Sequence, residues 1–138
     1  GVDGHVKLRT PLIAASTVST RNIDLLLDAG ADLNYTETKF GLQNALTTAF
    51  KNQKINLIRH LIIEKKINLD NIQYRNYKGD STDVTIELRK LVYPLDSDEF
   101  KVKMEIVDYL YARKINYWDA PVPRKLYHNF SQKFLKQY

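Results

Sequence analysis

The 138-residue sequence predicts an all-α chain in which antiparallel helix pairs stack into a short solenoid. Three observations lead there. Residues 10–34 hold two short capped amphipathic segments closed by a glycine. A looser copy begins about 34 residues later, a spacing typical of helical repeat units. A third, stretched copy ends on Lys114-Ile115-Asn116-Tyr117-Trp118, 48 residues after Lys66-Ile67-Asn68-Leu69-Asp70.

The first pair is the most regular. Thr10 is placed to cap a helix, its hydroxyl accepting one of the backbone N–H groups that the first turn leaves unpaired. Pro11 then stands at the first helical position, where a missing N–H is harmless and a fixed φ helps. Leu12, Ala14 and Ala15 give a narrow apolar surface, and the polar run Ser16 to Asn22 reads as the connection. A second helix begins at Ile23. Ile23, Leu26 and Leu27 lie at i, i+3, i+4, with Leu25 widening the stripe. Gly30 follows the last periodic residue, where a left-handed position favours glycine by about 1 kcal/mol. Burial of Leu26 and Leu27 sets an expected cost of about 2–5 kcal/mol for truncating either to alanine.

The second pair begins at Asn44-Ala45-Leu46-Thr47-Thr48-Ala49, with Asn44 as its cap, and continues through the stripe Leu57, Ile58, Leu61, Ile62. Lys66 falls at the position of Gly30, which the turn is expected to tolerate by relaxing. In the third pair a helix is read over Asp83 to Val92 and a longer one over Phe100 to Lys114, with Tyr93 to Glu99 between them. Pro121 and Pro123 precede a last helix, about Arg124 to Gln137. Its Leu126, Tyr127, Phe130, Phe134 and Leu135 face inward to close the exposed end of the array.

At 43% apolar residues the chain predicts one domain with a modest continuous core. No apolar run is long enough to span a bilayer and no signal-like segment is present. Met104 is the one methionine and Gly1 opens the chain, so a processed or excised piece of a longer protein is expected. The absence of cysteine rules out disulfides and thiolate zinc sites and agrees with a reducing, cytoplasmic setting. The net charge of +5 is uneven: residues 1–100 carry 13 basic and 13 acidic side chains, residues 101–138 carry 8 and 3.

Thr10-Pro11-Leu12-Ile13-Ala14-Ala15, the Leu25-Leu26-Leu27 helix and Gly30-Ala31-Asp32-Leu33-Asn34 together resemble an ankyrin repeat. Ile13 departs from the family's histidine, and the segment between the helices is one residue short. The resemblance covers about residues 10–118 and is sharpest over 10–70. It implies an ankyrin-type α-solenoid with β-hairpin or loop fingers, a single domain over residues 1–138. Its repeats span about 4–40, 41–75 and a long irregular 76–120, with the capping helix over about 121–138. It also implies a non-catalytic scaffold that recognises another protein, as a monomer, in the cytoplasm or delivered into a host cytoplasm as part of a larger adaptor or effector.

By the same resemblance the partner-binding residues lie on finger tips and on the first helix of each pair. On the fingers these are Tyr35, Thr36 and Lys39, then Tyr74, Arg75, Tyr77 and Lys78, then Trp118 and Asp119. On the inner helices they are Ile13, Ser16, Thr47 and Lys51. Tyr, Trp and Arg are the types that most often anchor interfaces.

An alternative rests on the basic end. Arg113, Lys114, Arg124, Lys125, Lys133 and Lys136, interleaved with aromatics, form a patch suited to a nucleic acid or an anionic surface. A third reading is an enzyme whose site has no local signature, but catalytic and cofactor motifs are missing. His5, His60 and His128 stand apart, with no ligand spacing, so no metal is expected. Neither phosphate-cradling glycine motif is present, nor a Gly-x-Ser-x-Gly elbow, and no cofactor is expected. Asp96-Ser97-Asp98-Glu99 has Lys101 and Val107 where a calcium loop needs Gly and Glu, and reads as a helix cap.

Overall fold

The computed structural model describes residues 10–39, 41–75 and 79–138. The turn read before Thr10, His5, and the finger residues Tyr77 and Lys78 lie outside the described residues, as does the side chain of Arg75. The protein is mostly helical, and none of the described helices is long and apolar enough to cross a membrane.

Helix α1 (Pro11–Ala15) starts as its sequence directs, with the Ile13 N–H donating to Thr10 Oγ1 at 3.2 Å and Pro11 at its first position. Helix α2 (Thr20–Asp28) starts three residues before Ile23, because Ser19 within the polar run caps it through the Asn22 N–H at 3.1 Å. Its stripe is narrower than expected. Ile23 is fully buried and Leu26 and Leu27 are half-buried, while Leu25 is 56% exposed. The α2 end closes with two bonds, Gly30 N–H to the Leu27 oxygen and Ala31 N–H to the Leu26 oxygen, each at 3.0 Å. That closure needs the left-handed φ of +97° at Gly30.

Residues 37–39 and 41–43 form a small hairpin in which Glu37 and Gln43 exchange backbone bonds at 2.7 and 2.8 Å. Helix α3 (Ala45–Lys51) follows, with a reciprocal cap between Asn44 and Thr47. Helix α4 (Ile55–Arg59) runs into a π-helical turn over His60–Glu64. Lys66 keeps the left-handed conformation, φ 55°, so the turn there does not relax. The wider turn ahead of it instead carries the Ile67 N–H to the Leu61 oxygen at 2.9 Å.

A short 3₁₀ turn (Leu69–Ile72) leads to strands β1 (Tyr74–Arg75) and β2 (Ser81–Thr82), an antiparallel ladder with Tyr74 opposite Thr82. Helix α5 (Val84–Arg89), capped by Asp83, stops short of the expected Val92, with Lys90 as its C-terminal cap. Helix α6 (Asp98–Tyr111) starts ahead of the expected Phe100, because Ser97 caps it through the Phe100 N–H, and ends before the expected Lys114. The single helix expected over 124–137 is instead a 3₁₀ turn (Arg124–His128) and a separate helix α7 (Gln132–Leu135), because Ser131 caps a new start. Tyr127 and Phe130 are exposed, contrary to their expected inward orientation.

Helix α1 packs on α2 and α3, α3 on α4, and α4 on α6, burying one continuous core from Leu12 and Ile23 to Leu110 and Tyr117. Leu126, Leu135 and Tyr138 form a separate small core with Val92, Leu95, Val122 and Phe134. The turns after α2, after the π turn and after α6 share one geometry. Gly30, Lys66 and Lys114 are left-handed, and two residues on, Asp32, Asn68 and Asn116 each accept from the N–H two residues ahead.

Candidate functional site

The site begins with the turn chemistry that sets α3 beside the two hairpins. Asn44, buried as the cap, donates from Nδ2 to the Asn71 oxygen at 2.7 Å and so ties the start of α3 to the turn before β1. Thr47 is held in the first turn by the Asn44 N–H at 2.9 Å. Lys51 lies one turn further along the same face.

Two cavities adjoin at these residues. One, of about 390 Å³, is lined by Thr17, Gly41, Leu42, Gln43, Thr47, Thr48, Lys51 and Asn52. The other, of about 370 Å³, is lined by Leu42, Thr47, Lys51, Ile72, Tyr74, Thr82 and Glu87. Leu42, Thr47 and Lys51 belong to both, so the cavities form one groove running from the first hairpin to the second across α3. Tyr74 stands at its wall, 48% exposed. Glu87, the one carboxylate in the lining, accepts from Lys90 Nζ at 2.7 Å and from the Thr82 hydroxyl. Lys51 has no ion-pair partner among the described residues, so the groove offers a free cation amid hydroxyl and amide groups.

Of the residues singled out from the sequence, the structure brings Thr47, Lys51 and Tyr74 together at this groove. Tyr35 lines a different, mostly apolar cavity with Pro11, Leu26 and Gly30, and its hydroxyl donates to Glu37 at 3.4 Å. Lys39 sits on the first hairpin, its N–H held by Glu37 at 2.8 Å. Trp118 is 42% exposed at the far end, over the Arg89 guanidinium. Ile13 and Ser16 are buried and drop out as surface candidates: α1 turns them into the core, and Ser16 Oγ donates to the Leu12 oxygen at 2.9 Å.

The six basic-patch residues are exposed, but not equally free. Arg113 lies 3.4 Å from the Tyr109 ring centre and donates to the Tyr109 oxygen at 3.1 Å, and Lys114 is the left-handed turn residue after α6. Arg124 and Lys125 sit on the last 3₁₀ turn, Lys133 on α7 and Lys136 at its C-terminal cap. No group of three or more His, Asp or Glu is placed to hold a metal among the described residues.

Sequence reasoning missed two polar clusters. On the outer side, Asp24 Oδ1 lies 2.6 Å from His60 Nε2 and 3.1 Å from Lys65 Nζ, and the His60 hydrogen bond holds the Asp24 carboxyl below its ordinary value. Near Tyr138, Arg89 and Lys103 are buried among Tyr117, Trp118 and Tyr138. Lys103 was legible. It stands one helical turn before Ile106 and Val107, on the face of α6 that the stripe assigns to the core.

Comparison with protein families, with characterised proteins and with solved structures finds no significant match to the chain.

Proposed function

We propose that the chain is a non-catalytic recognition module, a short ankyrin-type solenoid that binds another protein along the groove between its hairpins and its inner helices. The observation that carries this is the groove itself, in which two cavities share Leu42, Thr47 and Lys51 beneath the exposed Tyr74. A concave surface with hydroxyl and amide groups at one end, apolar walls at the other, and the Tyr74 ring and Lys51 ammonium at its edge offers directional contacts on a scaffold already ordered before binding, which lowers the ordering cost. The recurring turn geometry at Gly30, Lys66 and Lys114 supports the solenoid reading, as does the packing of α1 on α3 and of α4 on α6.

Photo-crosslinking side chains placed at positions 47, 51 and 74, with position 64 on the outer surface as control, test the proposal in a lysate of the source cell. The same polypeptide should be trapped from all three groove positions and not from position 64. The same side chains placed at positions 125 and 133 should trap nothing; nucleic acid trapped there, with no polypeptide trapped at 47, 51 and 74, would establish the basic end as the binding surface instead.

A further inference from the structure

The two halves of the groove differ in chemistry. In the half toward the first hairpin, the Thr17 and Thr47 hydroxyls give their hydrogens to main-chain oxygens, to that of Ala14 at 2.8 Å and that of Asn44 at 3.2 Å. Asn52 Nδ2 likewise donates to the Thr48 oxygen at 2.8 Å. Three donors of that lining, the Lys51 ammonium, the Gln43 amide and the Thr48 hydroxyl, have no partner among the described residues. Among the described residues, no carboxylate lines this half. In the half toward the second hairpin, Leu42, Ile72 and the Tyr74 ring form apolar walls. Glu87, the carboxylate of that lining, is already compensated by Lys90 Nζ at 2.7 Å and does not set the sign of the groove.

An ionised carboxyl group only accepts hydrogen bonds and carries a single negative charge. Unpartnered donors around one ammonium match it on both counts. A phosphate group brings about −1.5 to −2 to a lining with one cation, and a basic side chain meets Lys51 as a like charge. The other half offers nothing to a charge and removes an apolar side chain from water. We propose that the partner segment is an acidic, apolar peptide: an Asp or Glu enters the half beside Lys51, and a nearby apolar side chain packs against Tyr74. This rests on the recognition reading and adds to it the class of partner. Both halves share Leu42, Thr47 and Lys51, so an extended segment reaches them with residues two or three apart, about 7–10 Å along the chain.

The test selects random dodecapeptides displayed on phage against the full 1–138 chain and against its Lys51→Glu variant, with NMR amide shifts at Thr47, Lys51 and Tyr74 locating the binding. Peptides enriched on the unsubstituted chain should carry Asp or Glu two or three residues from an aromatic or aliphatic side chain. Their affinity, read by fluorescence anisotropy, should fall at least about tenfold on Lys51→Glu and weaken as salt is raised. Selection on Lys51→Glu should return Lys or Arg at the acidic position. Replacing the peptide's Asp or Glu by its amide gives the same loss against the unsubstituted chain, so the result stands even if the variant does not fold. Peptides that shift the groove resonances with no acidic preference, and bind equally after the amide replacement, would overturn this inference and leave the groove reading in place. Failure to enrich any peptide that shifts those resonances would overturn both.

Discussion

Asn34 Oδ1 accepts the backbone N–H of Asn68 at 3.1 Å, linking two turns that lie 34 residues apart in the chain. The same oxygen accepts from Asn71 Nδ2 at 2.9 Å, so one side-chain carbonyl joins the first turn to both ends of the next. Asn34→Ala removes both bonds at an exposed position, where water replaces part of the loss. Chemical denaturation should show a loss of about 1 kcal/mol. An unchanged midpoint would mean that the link is decorative.

Gly30 and Lys114 test the left-handed turns from opposite sides. Space around Gly30 is open, so any penalty for Gly30→Ala comes from its φ of +97° alone, and about 1–2 kcal/mol should be lost. Lys114→Gly at φ 65° relieves strain but adds freedom to the unfolded chain, so its net gain should be below about 1 kcal/mol. Thermal unfolding of both variants reads the two signs directly.

Leu61 and Leu25 separate core from surface within similar helices. Leu61 is fully buried, and Leu61→Ala should cost about 2–5 kcal/mol. Leu25→Ala, at an exposed position, should stay within about 0.5 kcal/mol. Leu26 and Leu27, half-buried, should fall between them, below the cost that full burial would set.

The pH response follows from two buried groups near Tyr138. Burial, with the neighbouring Arg89, lowers the Lys103 pKa from the ordinary 10.5 to about 7 in the folded chain. The unfolded state then holds the extra proton across that window, so stability rises with pH through it, by up to about 1.4 kcal/mol per pH unit. Burial raises the Tyr117 pKa above its ordinary 10.0, so the unfolded state loses this proton first and stability falls again beyond that pH. Denaturation midpoints from pH 6 to 11 should therefore pass through a maximum. A flat profile would contradict the burial of Lys103.

At the acid end, the bond from His60 that lowers the Asp24 pKa contributes stability that disappears as pH falls through the carboxylate range. Asp24→Asn should flatten that part of the acid-unfolding curve and leave the profile above neutrality unchanged.

Local chemistry was legible wherever it depends on neighbours in sequence. Thr10, Asn44 and Ser97 cap their helices, and Gly30 is left-handed, because each needs only a side chain or a missing Cβ within a few residues. The mostly helical character followed from apolar spacing for the same reason. Thr47, Lys51 and Tyr74 were legible as surface residues, but their meeting at one groove depends on how two hairpins flank α3, a relation that spans about 40 residues. Pairings such as Asp24 with His60, Arg59 with Glu105, or Lys103 with the Tyr138 oxygen join residues 35 to 46 apart and leave no periodic trace. Leu25 shows the same limit in reverse: a helical stripe says which side chains share a face, but only packing decides how much of that face is covered. The sequence by itself determined caps, turns and helical stretches through short-range sterics and hydrogen bonding. Only the tertiary structure decided which polar groups were buried and paired, because burial and charge compensation depend on what distant segments bring alongside.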